Sequence, residues 1–340
     1  MSKQRLTVLL AVILLFSCLT GCGGESVFGG NEQETLEVPG FPITMLDRSM
    51  KEVTLEHAWE RVVCTDSATL YSVASLGRLS SVVAYTGPVE GSLMDTLSGG
   101  STFSSTIPED ADVVLYSAEQ ADLYGVLPNA YCLFSEVTEF VLYFSTFTNL
   151  SNALMASSEW HILETASIAI LNKVNQAVGY VPFAEQKTFL FLNEKDLCLA
   201  LAGESRNILN EMGDYAACIN VAGSDTGSEE IYVSVTAEHA EEWDPDVIWV
   251  PWYADYTVED VVSDPVYANL RAVKEGSVRR FPGPLEPWYE STFAAYIGTC
   301  WMAYDLYPEL YPAESFVEDV NEFYEIMYHM TFTPEELCVR

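Results

Sequence analysis

Basic residues are scarce in this chain of 340 residues. Lys and Arg number 15 against 50 Asp and Glu, with only four His, so the formal net charge is -35 at pH 7. A field of this sign repels phosphate groups, which excludes nucleic acid as a partner and disfavours anionic lipid headgroups. Hydrophobic residues nevertheless make up 49% of the chain and aromatic residues 12%. The sequence therefore predicts an acidic protein with a large packed core and not a disordered chain.

Catalytic and metal-binding motifs are also missing. The chain contains no GxSxG nucleophile elbow, no HExxH zinc helix and no CxxC pair, which are local patterns that hydrolases and zinc proteins use. The four histidines fall on unrelated segments: His57, His161, His239 and His329. Only His239 has nearby acidic residues, at Glu241 and Glu242, and we interpret this group as part of an exposed helix. The sequence therefore predicts a protein that is not an enzyme.

The first 22 residues have the pattern of a bacterial lipoprotein export signal. Lys3 and Arg5 precede a nearly unbroken apolar run, and small residues form a cleavage site directly before Cys22. The run is shorter than the ~20 residues that a membrane-spanning helix needs. The sequence therefore predicts a signal peptide over 1–21, diacylglycerol on Cys22, and a flexible tether over 22–39. An ordinary signal peptide or a transmembrane anchor is the alternative to lipid attachment on the extracytoplasmic face of the cell membrane.

Six cysteines remain after export. They are Cys64, Cys132, Cys198, Cys218, Cys300 and Cys338. Outside the membrane an even number of cysteines permits disulfides, but no spacing here selects one set of pairs. Cys198 with Cys218 is the preferred pair, and buried free thiols are the alternative.

Two series of short apolar strands alternate with helices. Ala111–Leu115 and Pro245–Trp249 occupy matching places in the two series. Between the series, a stretch without proline has apolar residues at helical spacing: Leu154, Ile162, Ala166, Ile170, Leu171 and Val174. Alternating strands and helices favour parallel sheets, whose ligand sites lie beyond the carboxyl ends of the strands. We predict an α/β fold of two Rossmann-like lobes, 40–149 and 181–340, with a single long helix over 150–180 joining them and a ligand cleft between them.

Five stretches in order along the chain carry a family pattern. They are Ile43–Leu55 with Glu60–Val63, the long connecting helix, Trp243–Ile248, Asp264–Val278, and Phe281–Trp288 with Leu306–Leu310. Together they resemble the substrate-binding proteins of ABC importers for ferric siderophores, haem and vitamin B12. The resemblance implies two rigid lobes, a shallow cleft that closes only modestly, and an ABC permease with its ATPase as partners. We expect a monomer that binds a small-molecule metal chelate and has no cofactor of its own.

The resemblance also implies that each lobe docks on the permease through one surface carboxylate. Glu238, seven residues before Pro245, occupies the family's position for this carboxylate in the second lobe. At the corresponding position of the first lobe the chain has Ser104 instead. Glu90 or Asp95 would have to replace the missing first-lobe carboxylate.

Polar and aromatic residues follow the ends of the predicted strands. The candidate ligand-contacting residues are Asp66, Ser67, Tyr85 and Tyr116 in the first lobe, and Trp252, Tyr253, Trp288 and Tyr289 in the second. Aromatic rings of this kind suit a large ligand that has both apolar and polar faces. Trp249 lies inside a predicted strand and is assigned to the core.

The loops that carry these candidates contain no arginine, whereas an anionic ferric catecholate or ferric citrate calls for arginine partners. Arg279 and Arg280 lie on a predicted strand, and Asp66 and Glu290 complement positive charge. The sequence therefore favours capture of a siderophore-type iron chelate that is neutral or cationic, such as a ferric hydroxamate. A corrinoid or haem in the same fold, a bare metal ion, and a role as a surface adhesin or sensor are the alternatives.

Overall fold

Two parallel sheets organise the part of the chain that the structure describes. The structure is a computed structural model, and it describes residues 40–88, 91–135, 140–199, 208–222, 232–290 and 292–339. The predicted signal peptide, the tether with Cys22, and Glu90 lie outside the described residues.

The first lobe is built on a four-stranded parallel sheet with a hairpin beside it. The hairpin strands are β1 (Ile43–Leu46) and β2 (Glu52–Leu55), and the sheet strands are β3 (Val62–Cys64), β4 (Val82–Tyr85), β5 (Val113–Ser117) and β6 (Ala130–Phe134). The order across the sheet is β4-β3-β5-β6. Its helices are α1 (Ser67–Ser75), α2 (Leu93–Leu97) and α3 (Ala121–Tyr124). Asp47 fixes the hairpin against this sheet, because its side chain accepts hydrogen bonds from Lys51 N at 2.9 Å and Cys132 N at 3.1 Å.

The second lobe repeats this arrangement. Its strands are β7 (Lys187–Glu194), β8 (Leu197–Leu199), β9 (Cys218–Asn220), β10 (Tyr232–Ser234), β11 (Val247–Pro251) and β12 (Val278–Phe281). The parallel strands have the order β9-β7-β11-β12, while β8 pairs antiparallel with β7 and β10 pairs antiparallel with β8. Its helices are α6 (Ile208–Tyr215), α7 (Ala237–Trp243), α8 (Val258–Val262), α9 (Arg271–Lys274), α10 (Ala294–Leu306) and α11 (Ala313–Tyr328).

Two aspartates make the same contact in the two lobes. Asp112, before β5, accepts a hydrogen bond from Arg61 N at 2.8 Å and donates its own N–H to Arg61 O at 2.9 Å. Asp246, before β11, does the same with Thr188, at 2.8 and 3.0 Å. Each aspartate thereby fixes the register at the start of the central strand pair of its lobe. The predicted repeat of one α/β lobe is therefore confirmed in strand order and in local hydrogen bonding.

Two helices, and not one, lie between the sheets: α4 (Phe140–Ala153) and α5 (Ser157–Val178). The prediction of one helix over 150–180 was wrong at its start, because Met155 has φ of 54° and interrupts the helix. Arg78 stabilises this break by donating to the carbonyl oxygen of Met155 at 2.6 Å and to Glu159 at 2.9 Å. Ile162, predicted on the apolar face, is 57% exposed.

Contacts between aromatic rings join the helices that run between the lobes. Phe140 stacks on Tyr296 with ring centroids 4.4 Å apart, and Phe147 contacts Phe293 at 4.3 Å. These contacts fix α4 against the start of α10, and the largest apolar cluster contains buried residues from both lobes. Such close packing resists large relative motion of the lobes. Among the described residues, none of the helices has the length and hydrophobicity needed to cross a bilayer.

Cys198 and Cys218 are both free thiols, so the preferred Cys198–Cys218 disulfide was wrong. Cys198 packs in one apolar cluster of the second lobe and Cys218 packs in the other. The two thiols therefore lie in separate parts of the core. Burial raises the pKa of both, that of Cys198 to about 12.

Candidate functional site

Polar side chains close over the carboxyl ends of β3 and β4 in the first lobe. Asp66 caps α1, because its Oδ1 accepts a hydrogen bond from Thr69 N at 2.8 Å. Its other carboxylate oxygen, Oδ2, is buried and has no hydrogen-bond partner among the described residues. Beside it, Thr65 donates to Gln120. The first lobe therefore has, at this edge, a carboxylate whose second oxygen is buried without a hydrogen-bond partner among the described residues.

Aromatic residues occupy the equivalent edge of the second lobe. Tyr253 is 42% exposed and contacts Tyr289, with ring centroids 5.4 Å apart. Tyr289 contacts Phe191 in turn, at 5.5 Å. Trp252 is half-buried, and its ring lies so close to Gly283 that a Cβ there would be 2.3 Å from it. The indole N–H of Trp252 has no acceptor among the described residues.

Carboxylates from both lobes raise the pKa of the same tyrosine. Burial raises the pKa of Tyr232 on β10, and the charges of Glu119 and Glu290 raise it further. Glu119 follows β5 in the first lobe, whereas Glu290 follows β12 in the second. The negative potential of the two lobes therefore overlaps where their strand ends face each other. Glu119 and Tyr232 were missed by the sequence analysis, although the strand-end pattern would have found Glu119.

The arginines around this edge donate hydrogen bonds to other groups of the protein. Arg280 on β12 donates to the carbonyl oxygens of Pro251 at 2.6 Å and of Tyr256 at 3.0 Å. These bonds hold the loop that carries Trp252 and Tyr253. Arg48 is bound to Thr146 Oγ1 at 2.7 Å. In the parts of the chain that the structure describes, these guanidinium groups stabilise loops and helix ends.

Several predicted site residues lie inside the lobes. Trp288 is 0% exposed and its indole N–H donates to the hydroxyl of Tyr324 at 2.9 Å, so its assignment to the cleft surface is corrected to the core. Ser67, Tyr85 and Tyr116 are buried as well. The hydroxyl of Tyr85 donates to the carbonyl oxygen of Pro88, which holds the loop after β4. Trp249 is fully buried, as predicted.

The candidate docking residues lie on the exposed surface. Glu238 is exposed in the first turn of α7, which Thr236 caps by accepting from His239 N at 3.2 Å. Ser104 is exposed and its carbonyl oxygen accepts from Tyr85 N at 2.8 Å. Asp95 is exposed on α2. Docking through these residues stays a prediction.

Two cavities lie at the opposite, amino-terminal edges of the sheets. One, of about 420 Å³, is lined by residues at the starts of β7, β11 and β12, including Lys187, Asp246 and Arg279. The other, of about 290 Å³, lies between the hairpin and the starts of β5 and β6. The described residues contain no group of three or more His, Cys, Asp or Glu placed to hold a metal ion.

Comparison with known proteins gives one partial sequence match. No protein-family model matches the chain. The molybdate-binding protein MolA of Haemophilus influenzae is 26% identical over 153 residues, which are 45% of this chain and 42% of MolA. The match therefore spans less than half the length of that relative.

Solved structures of solute-binding proteins have the same fold. The ABC transporter solute-binding protein from Sulfurospirillum deleyianum has a TM-score of 0.66 at 18% identity, covering 86% of this chain and 97% of that one. MolA bound to molybdate has a TM-score of 0.65 at 17% identity, with 86% and 99% covered. CeuE of Helicobacter pylori with Ni(II) bound has 0.65 at 13% identity, with 87% and 98% covered. The two-lobed fold of periplasmic solute-binding proteins, which the resemblance implied, is confirmed.

Proposed function

We propose that this protein is the extracytoplasmic substrate-binding component of an ABC importer and that its cargo is a neutral or cationic metal chelate, such as a ferric hydroxamate siderophore. The observation that carries the proposal is the combination of aromatic rings and carboxylates at the carboxyl ends of both sheets. In two-lobed folds of parallel sheets, ligands bind at these ends.

The aromatic surface supports a large ligand with an apolar face. Tyr253 and Tyr289 form a continuous ring surface with Phe191 behind it. Such rings offer contact area at low cost in side-chain entropy, and the indole N–H of Trp252 adds a donor that orients a ligand oxygen. Hydroxamate chelates have carbonyl-type oxygens around the metal and an aliphatic backbone, which matches both features.

The charge of the site separates possible cargoes. Asp66, Glu119 and Glu290 supply negative charge, while Arg280 is held by backbone carbonyl oxygens. An oxyanion such as the molybdate of MolA, or an anionic ferric catecholate, would meet like charges that cost several kcal/mol. We therefore propose a cargo without net negative charge.

Tyr253 provides the most direct test of the aromatic surface. Tyr253→Ala is expected to weaken binding of a ferric hydroxamate by about 1 to 3 kcal/mol, because the ring is an exposed anchor beside Tyr289. Tyr180→Ala serves as the matched control, since Tyr180 is 67% exposed and lies between α5 and β7. Titration calorimetry of both variants measures the difference. Equal losses in the two variants, or no loss in Tyr253→Ala, would count against this surface.

Attachment to the membrane is part of the same proposal. Cys22 follows an export signal and precedes a Gly- and Glu-rich segment, so a lipid on its thiol would hold the protein at the cell surface. Cys22→Ser is expected to move the protein from the membrane fraction to the soluble fraction with its circular dichroism unchanged. Retention of the Cys22→Ser protein in the membrane fraction would refute attachment through this thiol.

A further inference from the structure

The backbones of the two lobes bind each other at one junction. Ser92 N donates to Pro284 O at 2.8 Å, and Leu93 N donates to Leu285 O at 2.9 Å. Tyr71 on α1 adds a hydroxyl donor to Leu285 O at 3.3 Å. Gly91, with φ of 81°, permits this approach, because a Cβ there would lie 2.1 Å from Leu285 O. The first-lobe loop before α2 and the second-lobe loop after β12 are thus in direct contact.

A fully buried carboxyl group lies next to this junction. Glu286 directly follows Leu285 and is 0% exposed. Its Oε2 accepts a long hydrogen bond from Tyr328 at 3.5 Å, while its Oε1 is buried without a partner among the described residues. Tyr324 also faces this carboxyl group, and Trp288 N–H donates to Tyr324 at 2.9 Å. An ionised carboxylate in such a place is costly, because no donor satisfies its second oxygen.

The groups around Glu286 do not neutralise a negative charge. Tyr71 faces it from α1, and Tyr324 and Tyr328 face it from α11. Glu290, on the same loop, also acts on Tyr71 and adds negative charge. No basic residue is among the groups that set the ionisation of Glu286. Burial raises its pKa to about 8, so the carboxyl group is mostly protonated at pH 7.

We propose that the protonated Glu286 side chain holds the two lobes together at this junction, and that its ionisation releases the contact between Gly91–Leu93 and Pro284–Leu285. The released junction lets water reach the carboxylate, which removes the cost of the buried charge. The inference concerns the opening of the lobes and does not depend on the identity of the cargo.

The direction of the pH dependence follows from linkage. In the open junction the solvated carboxyl has its ordinary pKa near 4.5, whereas in the closed junction the pKa is raised to about 8. Between these values the closed form binds one more proton, so closure is favoured at low pH. The opening equilibrium is expected to rise by about tenfold for each pH unit over this range and to level off above it.

Amide hydrogen exchange tests the proposal on the full mature chain. Protection of the peptide that contains Ser92 and Leu93, corrected for the intrinsic pH dependence of exchange, is expected to fall by about tenfold from pH 6 to pH 7 in the parent protein. In Glu286→Gln, which is neutral at every pH, protection is expected to stay constant. Glu318→Gln, at an exposed glutamate on the helix that carries Tyr324 and Tyr328, is the control and is expected to keep the parental fall.

Two outcomes would overturn the proposal. One is the same fall in protection in Glu286→Gln as in the parent, and the other is constant protection in the parent. If Glu286→Gln does not fold, infrared spectroscopy of the parent supplies the second measurement. A carbonyl band of a buried protonated carboxylic acid is expected to disappear with a midpoint near pH 8, where the fall in protection levels off. Absence of that band at pH 6 would also overturn it.

Discussion

Replacing Trp288 with alanine is expected to lower the free energy of unfolding by about 3 to 5 kcal/mol, the usual cost of removing a large aromatic side chain from a core. Trp288 is 0% exposed, packs against Phe316, and donates to Tyr324 at 2.9 Å. The substitution would leave a cavity beside the buried Glu286 and remove the N–H donor to the Tyr324 hydroxyl. Chemical denaturation measures the loss.

Trp252→Ala is the matched control for this substitution. Trp252 is half-buried at the strand ends and its N–H has no acceptor among the described residues, so its removal is expected to cost less stability and more affinity. Trp288→Ala protein that remains folded is expected to bind cargo within a few fold of the parent. A Trp288→Ala protein with parental stability and lost cargo binding would contradict the core assignment.

Reversing the charge of Glu238 is expected to abolish uptake while leaving cargo affinity unchanged. Glu238 is exposed in the first turn of α7. A lysine there would face the arginines expected on the permease, and like charges at an interface cost several kcal/mol. Ser104 stands at the corresponding first-lobe position, so we expect the second-lobe contact to contribute more of the docking energy. Uptake of labelled chelate in cells or reconstituted vesicles measures the effect.

Glu259→Lys is the control for Glu238→Lys. Glu259 is also an exposed glutamate in the first turn of a short second-lobe helix, α8, so both substitutions change the net charge and the helix end equally. Normal uptake by the Glu238→Lys protein would show that docking does not use this residue. Equal loss of uptake in both variants would indicate a general charge effect and not a docking site.

The fold was predictable because its signals are local and repeated. Asp112 and Asp246 stand before apolar strands in both halves of the chain, and each binds the start of the neighbouring strand in its sheet, β3 or β7. The break between α4 and α5 was not predictable from spacing. It depends on the left-handed backbone of Met155 and on Arg78, which comes from a distant part of the sequence.

The sequence predicted the position of a site residue correctly only where the end of a strand alone determines whether its side chain is exposed. Tyr253 and Asp66 lie at the expected edge, because they directly follow parallel strands. Trp288 follows β12 and Tyr85 ends β4, but α11 covers Trp288 and the loop to Pro88 covers Tyr85. Such coverage is a tertiary property that adjacent residues do not encode. The burial of Glu286 next to the lobe junction is of the same kind.

The central claim is that the cleft captures a metal chelate without net negative charge. The most direct measurement is a calorimetric titration of the purified mature protein with a cationic ferric trihydroxamate, an anionic ferric tricatecholate and molybdate under one set of conditions. We expect saturable binding of the trihydroxamate at one site per chain, with quenching of tryptophan fluorescence, and no heat from the two anions. Tight binding of molybdate or of the tricatecholate, with no heat from the trihydroxamate, would contradict the claim.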